Sequence, residues 1–291
     1  MSELCGIMIV DKPVGVTSQV VIGRLRKVTG IRRIGHCGTL DPLASGVLPV
    51  MIGNATKACE YLMDHDKVYV ASIRLGVETD TQDITGEVLA KHEGALPSFE
   101  EFAEVAKTFV GEIKQVPPMY SALKINGQKL VDLARKGREV ERQPRPITIH
   151  ELTLLGMEAE GIRLRVRCSK GTYIRTLCKD IGEALGCGGC MAALRRVAAG
   201  EYTARESVPL QTLLETENPE QYLRPVDSMF RNYPRVTLTD KQETRCRNGN
   251  SFSVEMEAGT YRAYGQNGEF LMLAKVEDGI MSTIKSFWEV E

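Results

Sequence analysis

The chain has 291 residues, with 37 Lys plus Arg against 38 Asp plus Glu and a formal charge of −1. Its 43% hydrophobic and 26% charged content is that of a soluble globular protein of one or two domains, whose core needs no staples. Near neutrality argues against a wholly basic nucleic-acid binder but leaves room for a local basic face. No run of about 18 apolar residues suits a transmembrane helix, and Met1 to Val10 lacks the basic start of a secretory signal. The eight cysteines are scattered, so reduced thiols in a cytoplasm are expected.

In chain order, Ile7, Met8, Ile9 and Val10 predict a short buried strand. Thr17 or Ser18 caps a predicted helix with apolar Val20, Val21, Leu25 and Val28, and Gly30 stops it. Residues 47–52 read as a buried strand; so do residues 68–75, with Tyr69, Ala71 and Ile73 opposite Val68, Val70 and Ser72. Ser98 and Glu101 form a capping box ahead of a helix that aligns Phe99, Phe102, Ala103, Ala106, Phe109 and Val110.

Ile162, Leu164, Val166 and Cys168 alternate with Arg163, Arg165 and Arg167, a strand with one apolar and one guanidinium face. Ile174, Leu177, Ile181 and Leu185 describe a helix stopped by Gly186. Residues 209–232, with Pro209, Pro219 and Pro225, read as a loose connection. From residue 233 short apolar runs between glycine turns predict a small all-β module. Strands and helices mixed without a regular βαβ repeat place the fold in the α+β or mixed α/β class.

Charge is uneven along the chain. Residues 11–60 carry +4 and residues 120–180 carry +6, separated by −6 over residues 61–119 and followed by −4 over residues 181–291. Solvated helix faces would give the same pattern, so charge alone does not decide for an RNA surface.

Candidate chemistry narrows by elimination. Cys187-Gly-Gly-Cys190 has the spacing of a zinc knuckle, but no second pair or nearby histidine completes four ligands, so no metal is expected. The phosphate-cradling glycine motifs and the Gly-x-Ser-x-Gly elbow are absent. Two segments stand out. Gly35-His36-Cys37-Gly38-Thr39-Leu40-Asp41-Pro42 is a glycine-rich loop before a strand, in which Asp41 either caps a turn or serves chemistry. Residues 168–175 leave the arginine-faced strand through Gly171 and enter a helix at Arg175.

These segments, with Asp11-Lys12-Pro13-Val14-Gly15-Val16-Thr17-Ser18, Gly53-Asn54-Ala55-Thr56-Lys57, Thr79-Asp80-Thr81-Gln82-Asp83, residues 117–124 and Leu194-Arg195-Arg196, make the chain resemble the TruB-type tRNA pseudouridine synthases. The likeness covers nearly the whole chain. It implies a pseudouridine synthase fold with a largely antiparallel central sheet over residues 1–232. It also implies an RNA-contacting insertion at about 124–145 and a small PUA-like β-rich domain over 233–291. The implied activity is isomerisation of uridine 55 in the tRNA T stem-loop, without metal or cofactor, by a cytoplasmic monomer that needs no guide RNA.

By the same resemblance Asp41 is the essential aspartate, Arg175 its partner, and Tyr69 the aromatic that stacks on the flipped uracil. His36 presses into the RNA loop, while Tyr173 and Leu194 line the base pocket. Cys37, Val131 and Tyr202 stand where many relatives carry other residues.

The chemistry suits these types. The C1′–N1 bond must break and the base must rejoin through C5; one carboxylate serves as nucleophile at C1′ or as base toward C2′. A guanidinium favours the ionised carboxylate, and its fork suits the pair better than an ammonium. Two other readings share the motifs: an RNA-binding tRNA folding chaperone, and a guide-dependent, dyskerin-like synthase.

Overall fold

The computed structural model describes residues 4–158 and 161–288. Its centre is a ten-stranded mixed sheet. The first strands are β1 (Gly6–Lys12), β2 (Ile34–His36), β3 (Ala44–Ile52) and β4 (Lys67–Leu75). A side hairpin of β5 (Val77–Thr79) and β6 (Val88–Lys91) precedes β7 (Gly111–Gln115), and a second small hairpin joins β8 (Lys124–Ile125) to β9 (Gln128–Lys129). The sheet continues with β10 (Arg145–Glu158), β11 (Gly161–Cys168), β12 (Gly189–Ala199), β13 (Tyr202–Thr203) and β14 (Val208–Pro209). Its spatial order is β14-β1-β3-β12-β4-β11-β10-β7, with β2 on β3 and β13 on β12. Most pairings are antiparallel; β1 with β14 and β3 with β12 are parallel.

Helices α1 (Ser18–Thr29), α2 (Cys59–Met63), α3 (Phe99–Lys107), α4 (Leu130–Ala134), α5 (Ile174–Ala184) and α6 (Leu210–Glu215) complete this part. Thr17 caps α1 by accepting from Val20 N, and Gly30 ends it at φ 71°. Its buried stripe is Val21, Ile22 and Leu25, so Val20 of the predicted apolar face is exposed. The Ser98–Glu101 capping box starts α3 as expected. Residues 209–232 are more ordered than a loose connection: they hold α6 and two 3-10 turns, Pro219–Tyr222 and Val226–Phe230.

Alternation along β1 and β3 splits the core. Met8, Val10, Leu48, Val50 and Ile52 join a cluster with Val21, Leu25, Leu177 and Leu213, residues of α1, α5 and α6. Ile7, Ile9, Val47 and Met51 join a second cluster with Phe230, Leu273 and Phe287. Around β1 and β3 the sheet is therefore covered on both faces, by α1, α5 and α6 on one and by α2, Phe230 and the C-terminal strands on the other.

Those strands are β15 (Arg235–Thr237), β16 (Phe252–Ser253), β17 (Gly259–Tyr264), β18 (Phe270–Glu277) and β19 (Ile280–Ser286), in the order β15-β17-β18-β19-β16. This region is not all-β as expected, because α7 (Asp240–Arg247) interrupts it behind a Thr239–Gln242 capping box. Among the residues of α7 only Cys246 is buried, so no apolar period announces the helix. Phe270 and Phe287 stack with centroids 5.1 Å apart and pack on Phe230, which joins the β-rich region to the main sheet.

Candidate active site

One row of residues crosses four strands of the main sheet. Lys12 on β1 is in register with Gly46 on β3, Gly46 with Arg196 on β12, and Arg196 with Tyr69 on β4. Gly46 sits at φ 101°, and a Cβ there would meet the Arg196 carbonyl oxygen at 2.2 Å, so only glycine permits this close approach. One row on, Leu194 lies between Ala44 and Ala71.

Two cations are buried in that row. Arg196 is 1% exposed; its Nε donates to Val47 O at 2.7 Å and its Nη2 to Gly38 O at 3.0 Å. It thereby holds the loop of residues 36–41 against β3. Lys12 is wholly buried and donates from Nζ to Pro13 O at 2.9 Å and Val16 O at 2.7 Å. Burial lowers its pKa to about 8, opposed by the nearby Asp41 charge and reinforced by Arg196. Tyr69 is buried beside Arg196, and this burial raises its hydroxyl above the ordinary phenol value.

The loop carrying Asp41 is pinned at further points. Ser18 Oγ donates to Leu40 O at 3.1 Å and accepts from Leu40 N at 2.9 Å, and Gly15 N donates to Pro42 O at 2.8 Å. Asp41 Oδ2 lies 2.9 Å from Arg175 Nε. The other two guanidinium nitrogens of Arg175 donate to Thr81 O at 2.8 Å and Tyr120 O at 2.7 Å. All three nitrogens are thus committed, and Asp83 stands 4.0 Å behind. An ammonium has no such planar fork.

The wall supplied by residues 79–86 is held under strain. Gln82 adopts φ 64°, uncommon for a residue with a side chain. Asp83 Oδ1 fixes it by accepting from Thr81 Oγ1, Thr85 N and Thr85 Oγ1, and Thr176 Oγ1 donates to Gln82 Oε1 at 2.8 Å. Tyr173, at the start of α5, is clamped by Gln115, which accepts from its N–H and donates to its carbonyl.

Among the predicted residues, Asp41 and Arg175 form a direct pair, while Tyr69 and Leu194 share the sheet face beside it. His36 stands on β2 rather than in this pair. Gln19 Nε2 lies 3.3 Å from its Nε2, and its buried Nδ1 has no hydrogen-bond partner among the described residues. Burial, followed by the Arg196 charge, lowers its pKa.

Comparison with known proteins decides the family. Residues 26–174 match the model described as TruB family pseudouridylate synthase (N terminal domain), and residues 175–231 match that of the tRNA pseudouridylate synthase B C-terminal domain. The chain belongs to the TruB family. The tRNA pseudouridine synthase B of Clostridium kluyveri is 40% identical over 288 residues, covering 97% of this chain and 99% of that protein. Its counterpart from Syntrophotalea carbinolica is 45% identical over 257 residues, covering 88% and 84%. Among solved structures, a chain of a Cbf5-Nop10-Gar1 complex is 26% identical with a TM-score of 0.72, over 98% of this chain and 85% of that one.

In this TruB-family site, sequence reasoning assigned no role to Lys12, Arg196, Asp83 or Gln115. Lys12 does carry a readable signal: it follows Asp11 at the end of the apolar run Ile7–Met8–Ile9–Val10 and immediately precedes a proline. The three arginines of β11 are not a free cationic face. Arg163 pairs with Glu158, Arg165 with Glu151 and Arg167 with Asp66. The exposed cations of that block that make no ion pair among the described residues lie on the insertion instead, among them Lys124, Lys129, Arg135, Lys136 and Arg138.

Proposed function

We propose that the protein isomerises uridine 55 in the T loop of tRNA to pseudouridine, as a stand-alone cytoplasmic enzyme. Its activity is that of a tRNA pseudouridine synthase. The observation that carries the finer reading is the Asp41 carboxylate, 36% exposed yet held 2.9 Å from a buried guanidinium. It is open enough to meet a ribose and fixed enough to need no reorganisation when it does.

In this reading the target uridine leaves the loop stack at a cost of a few kcal/mol. Tyr69 returns about 1–3 kcal/mol by stacking on the uracil. Leu194 and the Ala44 and Ala71 neighbours keep the floor apolar and exclude water from the broken bond. Tyr173 borders the base, and the His36 ring fills the gap left in the RNA. Asp41 attacks C1′ or takes the C2′ proton, and the freed uracil turns and rejoins through C5.

Residues 1–232 form the catalytic part and residues 233–291 a PUA-like module that extends the RNA surface. Charge on the insertion supplies phosphate contacts. The likeness to a Cbf5-Nop10-Gar1 chain makes the guide-dependent branch the alternative.

The test is tritium release from 5-tritiated uridine in tRNA by the purified chain alone. Wild type releases tritium from an isolated T stem-loop, and Asp41→Asn loses roughly 10³-fold or more of that rate. Undiminished release by a folded Asp41→Asn protein overturns the site. Release only with added guide RNA favours the dyskerin-like reading. Accelerated tRNA refolding by Asp41→Asn would mark a chaperone role beside catalysis.

A further inference from the structure

The active loop carries a second reactive group that the isomerisation does not use. Cys37, between His36 and Gly38, points away from the Asp41 side of the sheet and joins the cluster that contains Ala55, Ala58 and Leu62. There its Sγ lies 2.7 Å from the Sγ of Cys59, the first residue of α2. Both thiols are reduced; Cys37 is buried and Cys59 partly exposed. A disulfide bond measures about 2.05 Å, so joining the two sulfurs requires a closure well under 1 Å.

We propose that Cys37 and Cys59 form a reversible dithiol–disulfide site, oxidised by hydrogen peroxide or an organic hydroperoxide, that couples thiol redox state to the placement of the His36–Asp41 loop. Cys59 reacts first because it is the less buried residue of the two. The hydrogen bond from Cys37 also lowers its pKa, whereas the same bond followed by burial raises that of Cys37. The Cys59 thiolate takes the distal peroxide oxygen to become a sulfenic acid, and the alkoxide or hydroxide left behind takes up the thiol proton. Cys37 Sγ then attacks Cys59 Sγ and expels hydroxide, which leaves as water with the Cys37 proton. Two thiols and one hydroperoxide thus give one disulfide, one alcohol or water, and one further water.

The bond reaches the site through the backbone. Cys37 N donates to Pro49 O at 2.9 Å, and the next residue's carbonyl, Gly38 O, receives Arg196 Nη2. Drawing Cys37 toward α2 therefore pulls on the two bonds that seat the loop, and it ties His36 to a helix on the far face.

The experiment treats the reduced full chain with stoichiometric hydrogen peroxide, blocks remaining thiols by alkylation, and maps peptides by mass spectrometry. Tritium release is measured on the same samples. The expected result is a Cys37–Cys59 linked peptide that dithiothreitol dissolves. With it comes a rate reduced about tenfold, the scale of a loop displaced by up to 1 Å. Cys59→Ser keeps the reduced rate and loses peroxide sensitivity.

Alkylated Cys37 and Cys59 at a dose that oxidises the exposed Cys5 would overturn the site. A linked peptide with an unchanged rate would overturn its coupling to the loop. Only the rate measurement rests on the proposed activity: if the reduced wild type itself releases no tritium, that reading fails while the linked peptide stands or falls separately.

Discussion

The loop of residues 35–42 and the insertion of residues 124–145 are held in opposite ways. The loop is fixed by bonds from distant parts of the chain: Arg196 on Gly38, Ser18 on Leu40, Gly15 on Pro42 and Arg175 on Asp41. The insertion is mostly self-contained. Leu130 and Leu133 bury themselves with Met119 in a cluster of their own, and its cations other than Arg142 are exposed. Arg142 returns one bond to Pro117 O, and just before the insertion Tyr120 O accepts from Arg175. On the proposed function, a carboxylate that must meet a ribose atom at fixed distance needs the first arrangement, and a surface that would follow a phosphate backbone is served by the second.

Breaking the loop's central post should have the largest effect. Arg196→Met removes a buried cation and leaves the Val47 and Gly38 carbonyls without their donor. At about 1–3 kcal/mol per unsatisfied buried group, stability should fall by about 3 kcal/mol or more. Urea denaturation measures it, and an unchanged midpoint would mean that the loop does not depend on this residue. Arg175→Lys is expected to spare most of the fold but lower kcat about 10²-fold, because one ammonium cannot serve Asp41, Thr81 O and Tyr120 O together. A change in KM alone would show that the fork is not needed for catalysis.

The insertion should respond in the converse way. Lys129→Gln with Arg138→Gln is expected to weaken RNA binding about tenfold and flatten the salt dependence, with each lost phosphate contact lowering the slope by roughly 0.7–0.9. Stability should stay within about 0.5 kcal/mol of wild type, as for exposed positions generally. Filter binding across a salt series, with thermal melts of the same proteins, checks both. Equal loss of stability would erase the contrast between the two regions.

What could be read beforehand follows the same division. The caps of α1 and α3 and the buried face of β4 depend on residues a few positions apart, and Thr17, Gly30, Ser98 and Tyr69 stand where their patterns placed them. The Asp41–Arg175 pair was expected only because family motifs linked two segments 134 positions apart; nothing local joins them. Arg196 was invisible for a physical reason. Beside Arg195 it looks like the polar side of a strand, and only the parallel pairing of β12 with β3 turns it toward Val47 and Gly38. The arginines of β11 do stand opposite buried Ile162, Leu164, Val166 and Cys168, as their alternation placed them. Their acidic partners on β10 and at Asp66 are not local and so were not foreseen.

The smallest effect tests whether His36 belongs to the pinned loop or to the RNA surface. Burial lowers its pKa below the ordinary histidine value near 6.5, with Arg196 adding to the shift. In the unfolded chain the ring takes up a proton as pH falls through about 6.5, whereas in the folded protein it stays neutral until a lower pH. The unfolded state then binds more protons, so this histidine's contribution to stability declines as pH drops below 6.5 and is constant above it. His36→Gln removes the titration. The difference in melting temperature between wild type and His36→Gln should therefore change in the acid range and stay level from pH 7 to 8. A difference that is flat throughout would place the ring in water, free of the loop's constraint. The acid-dependent difference, together with weaker T stem-loop binding at neutral pH, would make His36 the point where the rigid loop itself touches the RNA.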